Sequence, residues 1–428
     1  MLLFIWIVTK FVFYLFLSFL VYLGLVYLVI NKRRRAAKKL DPNTKVISFL
    51  HPFCNDCGGG EKVLWMMVQA LKELKAKNPK TNFRIKILAG IKEEAQTIMS
   101  NLKARFEINL EENQNVDIEI VRLKKSNLLK PQKFLTMFLQ IFGQVVFAFE
   151  ALTKVHSDVL IDTTGLPFTY WIFSLFGGSS VVAYVHYPFI SDDMISDIQS
   201  GVEGVHSRGV FGKFKIFKKL KVFYYRIIMA LYRWNGSFVE FQMSNSSWTY
   251  NHMKKIWPHV KREKLYPPCS TALYETKTVP QERRNLLVSF AQFRPEKRHK
   301  MQVNIFTKVR QLIGEKELRF EIIGSIRDET DKKLYNDLQE YINQQGLSEF
   351  ITLRPNLTLR DVKSIFATAK IGLHTMRDEH FGISIIEMMA SGLVTIAHNS
   401  AGPKHDIIGV AKEFVGVLAE GINYIILR

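Results

Sequence analysis

Two apolar rhythms alternate along this chain. Short, densely apolar runs such as Lys45-Val-Ile-Ser-Phe-Leu, Phe83-Arg-Ile-Lys-Ile-Leu-Ala, Val116-Asp-Ile-Glu-Ile-Val, Val159-Leu-Ile-Asp and Ser180-Val-Val-Ala-Tyr-Val predict strands. Between them lie stretches of helical period. After Gly58-Gly-Gly, the residues Val63, Leu64, Met67, Val68, Leu71 and Leu74 fall on one helix face within Glu61–Leu74. Ser237-Phe-Val-Glu-Phe-Gln-Met closes a first half, and Tyr266-Pro-Pro-Cys stiffens the chain as a hinge. A second set of strands then follows at Asn285-Leu-Leu-Val-Ser-Phe, Arg319-Phe-Glu-Ile-Ile, Phe350-Ile-Thr-Leu, Ile371-Gly-Leu-His and Leu393-Val-Thr-Ile-Ala. Strands alternating with helices predict parallel sheets with crossover helices, hence an α/β chain of two Rossmann-like domains. In such folds ligands sit beyond the strand C-termini, here in a cleft between facing domains. The expected division is 1–31 anchor, 32–44 basic linker, 45–268 first domain, 269–284 hinge and 285–428 second domain.

The N-terminus adds a membrane. Phe11 to Ile30 is a run of twenty residues, apolar or aromatic except for Ser18 and Gly24, long enough to cross a bilayer as a helix. Lys32, Arg33, Arg34, Arg35, Lys38 and Lys39 follow at once, which places that flank and all beyond it in the cytosol. A signal peptide would carry its basic cluster on the other side of the apolar core. Two further segments have membrane character. Phe134–Leu152 is strongly apolar, and Arg208–Trp234 mixes lysines with aromatics as an interfacial helix does. Ordinary packing inside the first domain is the alternative for both, and the stronger one for Phe134–Leu152.

Composition narrows the partners. The formal charge of +20 over 428 residues calls for anionic ones. No helix-turn-helix, zinc-finger or RNP-type signal accompanies it, so a nucleic-acid partner is not expected. Three cysteines make no disulfide framework, and Cys54-x-x-Cys57 lacks a thioredoxin-like setting. Zinc would lack a second ligand pair, no Asp-x-Asp occurs, and no cofactor is implied.

The densest chemistry lies in Glu379-His-Phe-Gly-Ile-Ser-Ile-Ile-Glu387, which continues to Gly402-Pro403. A helix beginning near Gly382 would point its first N–H groups toward Glu379, and such a start attracts phosphate. A carboxylate beside a phosphate site suits the hydroxyls of a sugar on a nucleoside diphosphate. From spacing alone, two solvated glutamates flanking a helix would read the same way. Arg294 and Lys297 follow the first strand of the second domain, where a solvated basic loop is the plain alternative. His186 ends a strand, and Gly58, Gly59 and Gly60 form a strand–helix turn where backbone could approach a ligand closely.

This stretch resembles the E-x7-E signature of retaining GT-B glycosyltransferases. It resembles most the dolichol-diphosphate-oligosaccharide α-1,2-mannosyltransferases of asparagine-linked glycosylation. His51-Pro-Phe-Cys-Asn, Gly58-Gly-Gly-Glu-Lys-Val-Leu-Trp, Tyr184-Val-His-Tyr-Pro, Asn245-Ser-Ser-Trp-Thr, Tyr266-Pro-Pro-Cys, Gln292-Phe-Arg-Pro-Glu-Lys and Ile371-Gly-Leu-His-Thr-Met look like that family, in its order. The resemblance runs from about Ser48 to about Gly416.

It implies a GT-B fold and transfer of mannose from GDP-mannose to a dolichol-diphosphate-linked Man3-4GlcNAc2 oligosaccharide. The setting would be the cytosolic face of the endoplasmic-reticulum membrane, with other glycosylation mannosyltransferases as candidate partners. Glu379 would approach the transferred sugar, the N–H groups of Phe381, Gly382 and Ile383 would bind phosphate, and Glu387 would hold the ribose. Arg294 and Lys297 would bind the diphosphate, although the wider superfamily carries its arginine where this chain has Gln292. Gly58, Gly59 and Gly60 would also approach the diphosphate, and His186 the reacting centre. Relatives continue past Phe414-Val-Gly-Val-Leu-Ala with further helices, so the second domain is expected to lack its last ones. The alternatives are a GT-B transferase with another sugar or lipid acceptor, and a shortened non-catalytic membrane-complex subunit.

Overall fold

The computed structural model describes residues 2–55, 58–106, 108, 110, 116–130, 136–192, 194–196, 215–275, 282–314, 317–411 and 416–419. Cys57, residues 208–214 of the basic aromatic segment and the chain from 420 onward lie outside them. The chain forms two compact units. The first comprises 1–243 and 252–263, the second 244–251 and 264–428.

The first unit opens with α1 (Leu2–Leu40), which runs on through the basic flank as unbroken helix. That flank has partners on the domain. Arg33 Nη1 donates to the Thr153 carbonyl at 2.6 Å, and Lys38 pairs with Asp158 at 3.1 Å. A seven-stranded sheet follows, built from β1 (Lys45–Leu50), β2 (Phe83–Ala89), β3 (Ile118–Arg122), β4 (Val159–Asp162), β5 (Ser180–Val185), β6 (Val239–Ser244) and β7 (Lys261–Lys264). Its order is β3-β2-β1-β4-β5-β6-β7, and the pairs from β3 to β5 are parallel. Helices α2 (Gly59–Lys77), α3 (Ala95–Phe106), α4 (Thr136–Lys154), α5 (Tyr170–Leu175) and α6 (Lys215–Gly236) connect or cover the strands, while α7 (Ser247–Ile256) begins in the second unit's segment 244–251 and ends in the first. Phe49, Leu50, Ile85 and Ile87 are fully buried, as expected where helices cover both faces of a parallel sheet. Phe147, Ala148 and Ala151 of α4 join one core cluster with Phe173 and Tyr232. One face of α4 is therefore ordinary packing, while Phe138 and Phe142 on the same helix stay exposed. By length and composition, α4 is also apolar enough to cross a membrane.

The second unit contains α8 (Thr271–Tyr274), β8 (Arg284–Phe290), α9 (His299–Ile313), β9 (Arg319–Gly324), α10 (Glu329–Gln344), β10 (Ile351–Pro355), α11 (Leu359–Thr368), β11 (Ala369–His374), α12 (Ile383–Ala390), β12 (Val394–His398) and β13 (Gly416–Ala419). Its sheet has the order β10-β9-β8-β11-β12-β13, parallel at every pair. Local capping sets the helix starts. Asp328 accepts the N–H groups of Thr330 and Asp331 ahead of α10, and Thr358 accepts that of Asp361 ahead of α11. In both sheets the chain reverses its order of strand addition once, between β1 and β4 and between β8 and β11. Such switch points open a crevice at the strand C-termini, where ligands bind in doubly wound folds.

Candidate functional site

In the second unit the switch point lies between the ends of β8 and β11. After β8 the chain passes Arg294 and forms a single turn over Pro295–Lys297. After β11 come Thr375 and the turn to Glu379. The Thr375 hydroxyl donates to the Lys297 carbonyl at 2.9 Å, joining the two loops. Lys297 and Glu379, far apart in sequence, then meet: Glu379 Oε2 accepts Lys297 Nζ at 2.5 Å. The same oxygen accepts His374 Nε2 at 2.9 Å. His374 is buried, and no partner for its Nδ1 is found among the described residues. Burial pushes the His374 imidazole below its ordinary pKa, so it stays neutral and holds its proton on the nitrogen facing the carboxylate. For Glu379, burial acts upward. The Lys297 ammonium and the His374 hydrogen bond outweigh it and hold the carboxyl well below the usual range. The result is an ionised carboxylate with one oxygen engaged twice.

Backbone geometry fixes the segment that follows. Gly402 donates its N–H to the Glu379 carbonyl at 2.9 Å. A Cβ on Gly402 would lie 2.3 Å from the Phe381 carbonyl oxygen, so only glycine allows this approach. Gly382 caps α12 with φ of 112°, a left-handed conformation that turns the chain from Phe381 into the helix. As helix-start groups, the Gly382 and Ile383 N–H groups have no acceptor within the helix. Tyr266 stacks on Phe381 and Trp248 on His380, with centroids 5.2 and 5.6 Å apart. Asp406 braces these rings: its two oxygens accept the Ser247 N–H at 3.0 and 2.9 Å, and one accepts the Tyr266 hydroxyl at 2.9 Å. Further along α12, Glu387 accepts the phenol of buried Tyr274, whose pKa rises through burial and that carboxylate. Arg294 stands apart from this cluster, 3.8 Å from Asp331 and partly exposed.

The first unit gathers a second group at its own switch point. His51 directly follows β1, and its Nδ1 lies 2.8 Å from Thr163 Oγ1. Its Nε2 lies 3.5 Å from Glu61 Oε1, while Glu61 Oε2 accepts the Gly58 N–H at 2.7 Å. Burial pushes the Glu61 carboxyl up, but its hydrogen bonds from His51 and the backbone bring it below its ordinary pKa. His186 donates from Nε2 to the Thr163 carbonyl at 3.1 Å. Gly60 faces both rings, since a Cβ there would sit 3.6 Å from His186 Nε2 and 3.9 Å from His51 Cε1. Buried Asp162 shapes the turn carrying Thr163 by accepting the N–H groups of Thr164, Gly165 and Leu166 and the Tyr170 hydroxyl.

Apart from Arg294, the expected residues fall into two clusters. Lys297, Glu379, Phe381, Gly382, Ile383 and Glu387 share one crevice edge of the second unit. Gly58, Gly59, Gly60 and His186 share one in the first. Sequence reading did not single out His374, Tyr274, His51, Glu61 or Thr163 as site residues. Glu61 carried a signal as a glutamate three residues after the glycine that caps its helix, while His51 and His374 stood within the family-like blocks His51-Pro-Phe-Cys-Asn and Ile371-Gly-Leu-His-Thr-Met without a role of their own.

A family model described as ALG11 mannosyltransferase N-terminus matches residues 44–257. The chain belongs to the ALG11 mannosyltransferase family. A second family model, described as glycosyl transferases group 1, matches residues 272–422. ALG11-family relatives named GDP-Man:Man(3)GlcNAc(2)-PP-Dol alpha-1,2-mannosyltransferase include one from Kluyveromyces lactis, 36% identical over 88% of this chain and 66% of that protein. The mouse relative of that name is 35% identical over 96% of this chain and 87% of its own length. The human one is 34% identical over 91% and 80%. This ALG11-family chain therefore spans about two thirds of the Kluyveromyces protein and more of the mammalian ones. Among solved structures, Anabaena HepE with UDP and glucose aligns with a TM-score of 0.57 and 13% identity, over 89% of this chain and 87% of that one. TarM aligns with a TM-score of 0.58 and 11% identity, over 89% of each chain. At such identities the likeness concerns fold alone, a GT-B-like pair of Rossmann-like domains.

Proposed function

We propose that this glycosyltransferase moves mannose from GDP-mannose to a dolichol-diphosphate-linked Man(3)GlcNAc(2) acceptor in α-1,2 linkage, extending an asparagine-linked glycan precursor. The observation that carries the reading is the meeting of Lys297, His374 and Glu379 at the switch point of the second unit, in a chain whose ALG11-family relatives bear that name. Transfer develops negative charge on the departing diphosphate and positive charge at the anomeric carbon. Lys297, Arg294 and the N–H groups of Phe381, Gly382 and Ile383 would receive the first. Ionised Glu379, held by neutral His374, would stand at the sugar. Glu387, oriented by Tyr274, would take the ribose hydroxyls. In the first unit, Gly58, Gly59 and Gly60 would let backbone approach the diphosphate, and His186 would orient the acceptor hydroxyl. Fixed cations and amides make bound metal unnecessary in this scheme. Transfer by the full chain is expected to survive EDTA; complete loss restored by manganese or magnesium would defeat the electrostatic assignment.

The same proposal places α1 across the endoplasmic-reticulum membrane with both units cytosolic, supported by the apolar run and its basic flank. Among the acceptor sequons Asn235-Gly-Ser, Asn245-Ser-Ser and Asn356-Leu-Thr, the first two asparagines are buried. Asn356 is exposed and therefore the informative one. Mass spectrometry of protein from intact cells should find Asn356 unmodified, and a glycan there would reverse the orientation.

A further inference from the structure

Three neighbouring strands of the first unit each carry a polar side chain one residue past their C-terminal end. His51 follows β1, Thr163 follows β4 and His186 follows β5, and β4 pairs in parallel with both of the others. Glu61, in the first turn of α2, lies against His51. His51 and Thr163 are buried, and the Glu61 side chain is 13% exposed. Of these four residues, only His186 has a part in the proposed transfer.

Chemistry sets the direction of each hydrogen bond among them. The Glu61 carboxyl is raised by burial but lowered further by its bonds from His51 and the backbone, so it is ionised at neutral pH. An ionised carboxylate only accepts. Its Oε2 takes the Gly58 N–H at 2.7 Å. Its Oε1 faces His51 Nε2 at 3.5 Å, the long end of hydrogen-bonding distance, so that nitrogen carries the proton. In the neutral imidazole the lone pair is then on Nδ1, and Thr163 Oγ1 donates to it at 2.8 Å. A carbonyl also only accepts, so His186 donates from Nε2 to the Thr163 carbonyl at 3.1 Å. Thr163 has little freedom to turn away. Its hydroxyl is held by His51, and its N–H donates to the Leu50 carbonyl at 3.4 Å.

We propose that Glu61 is a positioning residue for transfer: through His51 and Thr163 it fixes the carbonyl that orients His186, while its second oxygen holds the glycine turn. The roles of His186 and the glycines in this inference rest on the proposed function. A carboxylate bonded to one imidazole nitrogen decides which nitrogen carries the proton and fixes the ring plane. Helix capping is the plain alternative. A glutamate bonded back to the cap N–H occurs for that reason alone, and glutamine serves there equally well. The chain of bonds, by contrast, is sensitive to that exchange. In Glu61→Gln the amide oxygen keeps the Gly58 N–H, which leaves the NH2 group facing His51 Nε2. The His51 proton must then move to Nδ1, and the Thr163 hydroxyl loses its acceptor.

The test compares the full chain in phospholipid nanodiscs with Glu61→Gln, Thr163→Val and the double variant, using GDP-mannose and dolichol-diphosphate Man(3)GlcNAc(2). Each single variant should lower kcat by about tenfold to a hundredfold, the loss that follows removal of a partner that orients a histidine. In Glu61→Gln the Tm and the calorimetric Kd for GDP should stay at the native values, because the cap and the glycine turn persist. The double variant should lose no more than the worse single one, since both break the same chain. Nitrogen NMR of protein carrying isotope-labelled histidine, with His51→Gln identifying the His51 signals, reads the first link directly. It should show His51 protonated on Nε2 in the unsubstituted chain and on Nδ1 in Glu61→Gln. Native kcat in Glu61→Gln, or losses that multiply in the double variant, would reduce Glu61 to a cap and overturn the proposal. So would a His51 tautomer that ignores the substitution. If the unsubstituted chain left GDP-mannose untouched, the proposed function would fall, and the tautomer measurement, which needs no turnover, would still decide whether Glu61 governs His51.

Discussion

Replacing Glu379 by alanine is expected to reduce kcat by about a hundredfold or more, as loss of a charge-stabilising group in a desolvated site does. The donor KM should change far less. The carboxylate is ionised, one of its oxygens is held by Lys297 and His374, and its proposed role lies where charge develops. Glu387→Ala and Tyr274→Phe should give the opposite split, raising the donor KM with kcat nearly intact. That is the signature of binding shared by ground and transition states. Tyr274→Phe is the cleaner of the two because it removes only the hydroxyl that orients Glu387. Steady-state kinetics on variants shown folded by circular dichroism separates these outcomes. Normal turnover by Glu379→Ala, with kcat lost in Glu387→Ala, would reverse the assignment.

Lys297→Ala should lower kcat/KM by about 10² to 10³. It should also weaken GDP binding measured directly by calorimetry, because the ammonium is assigned to the diphosphate. A second consequence comes from packing. Lys297 and Glu379 form a largely buried pair, and breaking such a pair by removing one partner costs about 3–5 kcal/mol of stability. Tm should therefore fall as well. The two effects are separable. If Lys297 served only to neutralise Glu379, Tm would drop while GDP affinity stayed at the native value.

The sheets were legible in the sequence because buried parallel strands leave dense apolar runs, and Lys45–Leu50, Phe83–Ala89 and Val394–His398 needed little else. The crevice edges followed from the same reading, since Lys297 and Glu379 both come just after a strand. Their partners were not legible. His374 ends a strand like many core residues, and nothing in Gly-Leu-His announces that its Nε2 will meet Glu379. Tyr274 lies in a four-residue helix with no periodicity to read, far in sequence from Glu387. The brace from Asp406 to Ser247 and Tyr266 spans 159 and 140 positions, a separation at which local pattern carries no information. Helix α1 outran its expected end for a related reason. Residues 32–44 read as a basic linker, but Arg33 and Lys38 find Thr153 and Asp158 on the folded domain, and the helix runs on to Leu40.

The most direct measurement is transfer itself. Full-length protein in lipid vesicles would receive radiolabelled GDP-mannose and dolichol-diphosphate Man(3)GlcNAc(2), and the released oligosaccharide would be sized and digested with an α-1,2-specific mannosidase. The proposed function predicts a longer oligosaccharide whose added label that mannosidase removes, with no transfer from UDP-linked sugars. Folded protein that leaves GDP-mannose untouched, uses a different nucleotide sugar, or forms a product resistant to the mannosidase would contradict it.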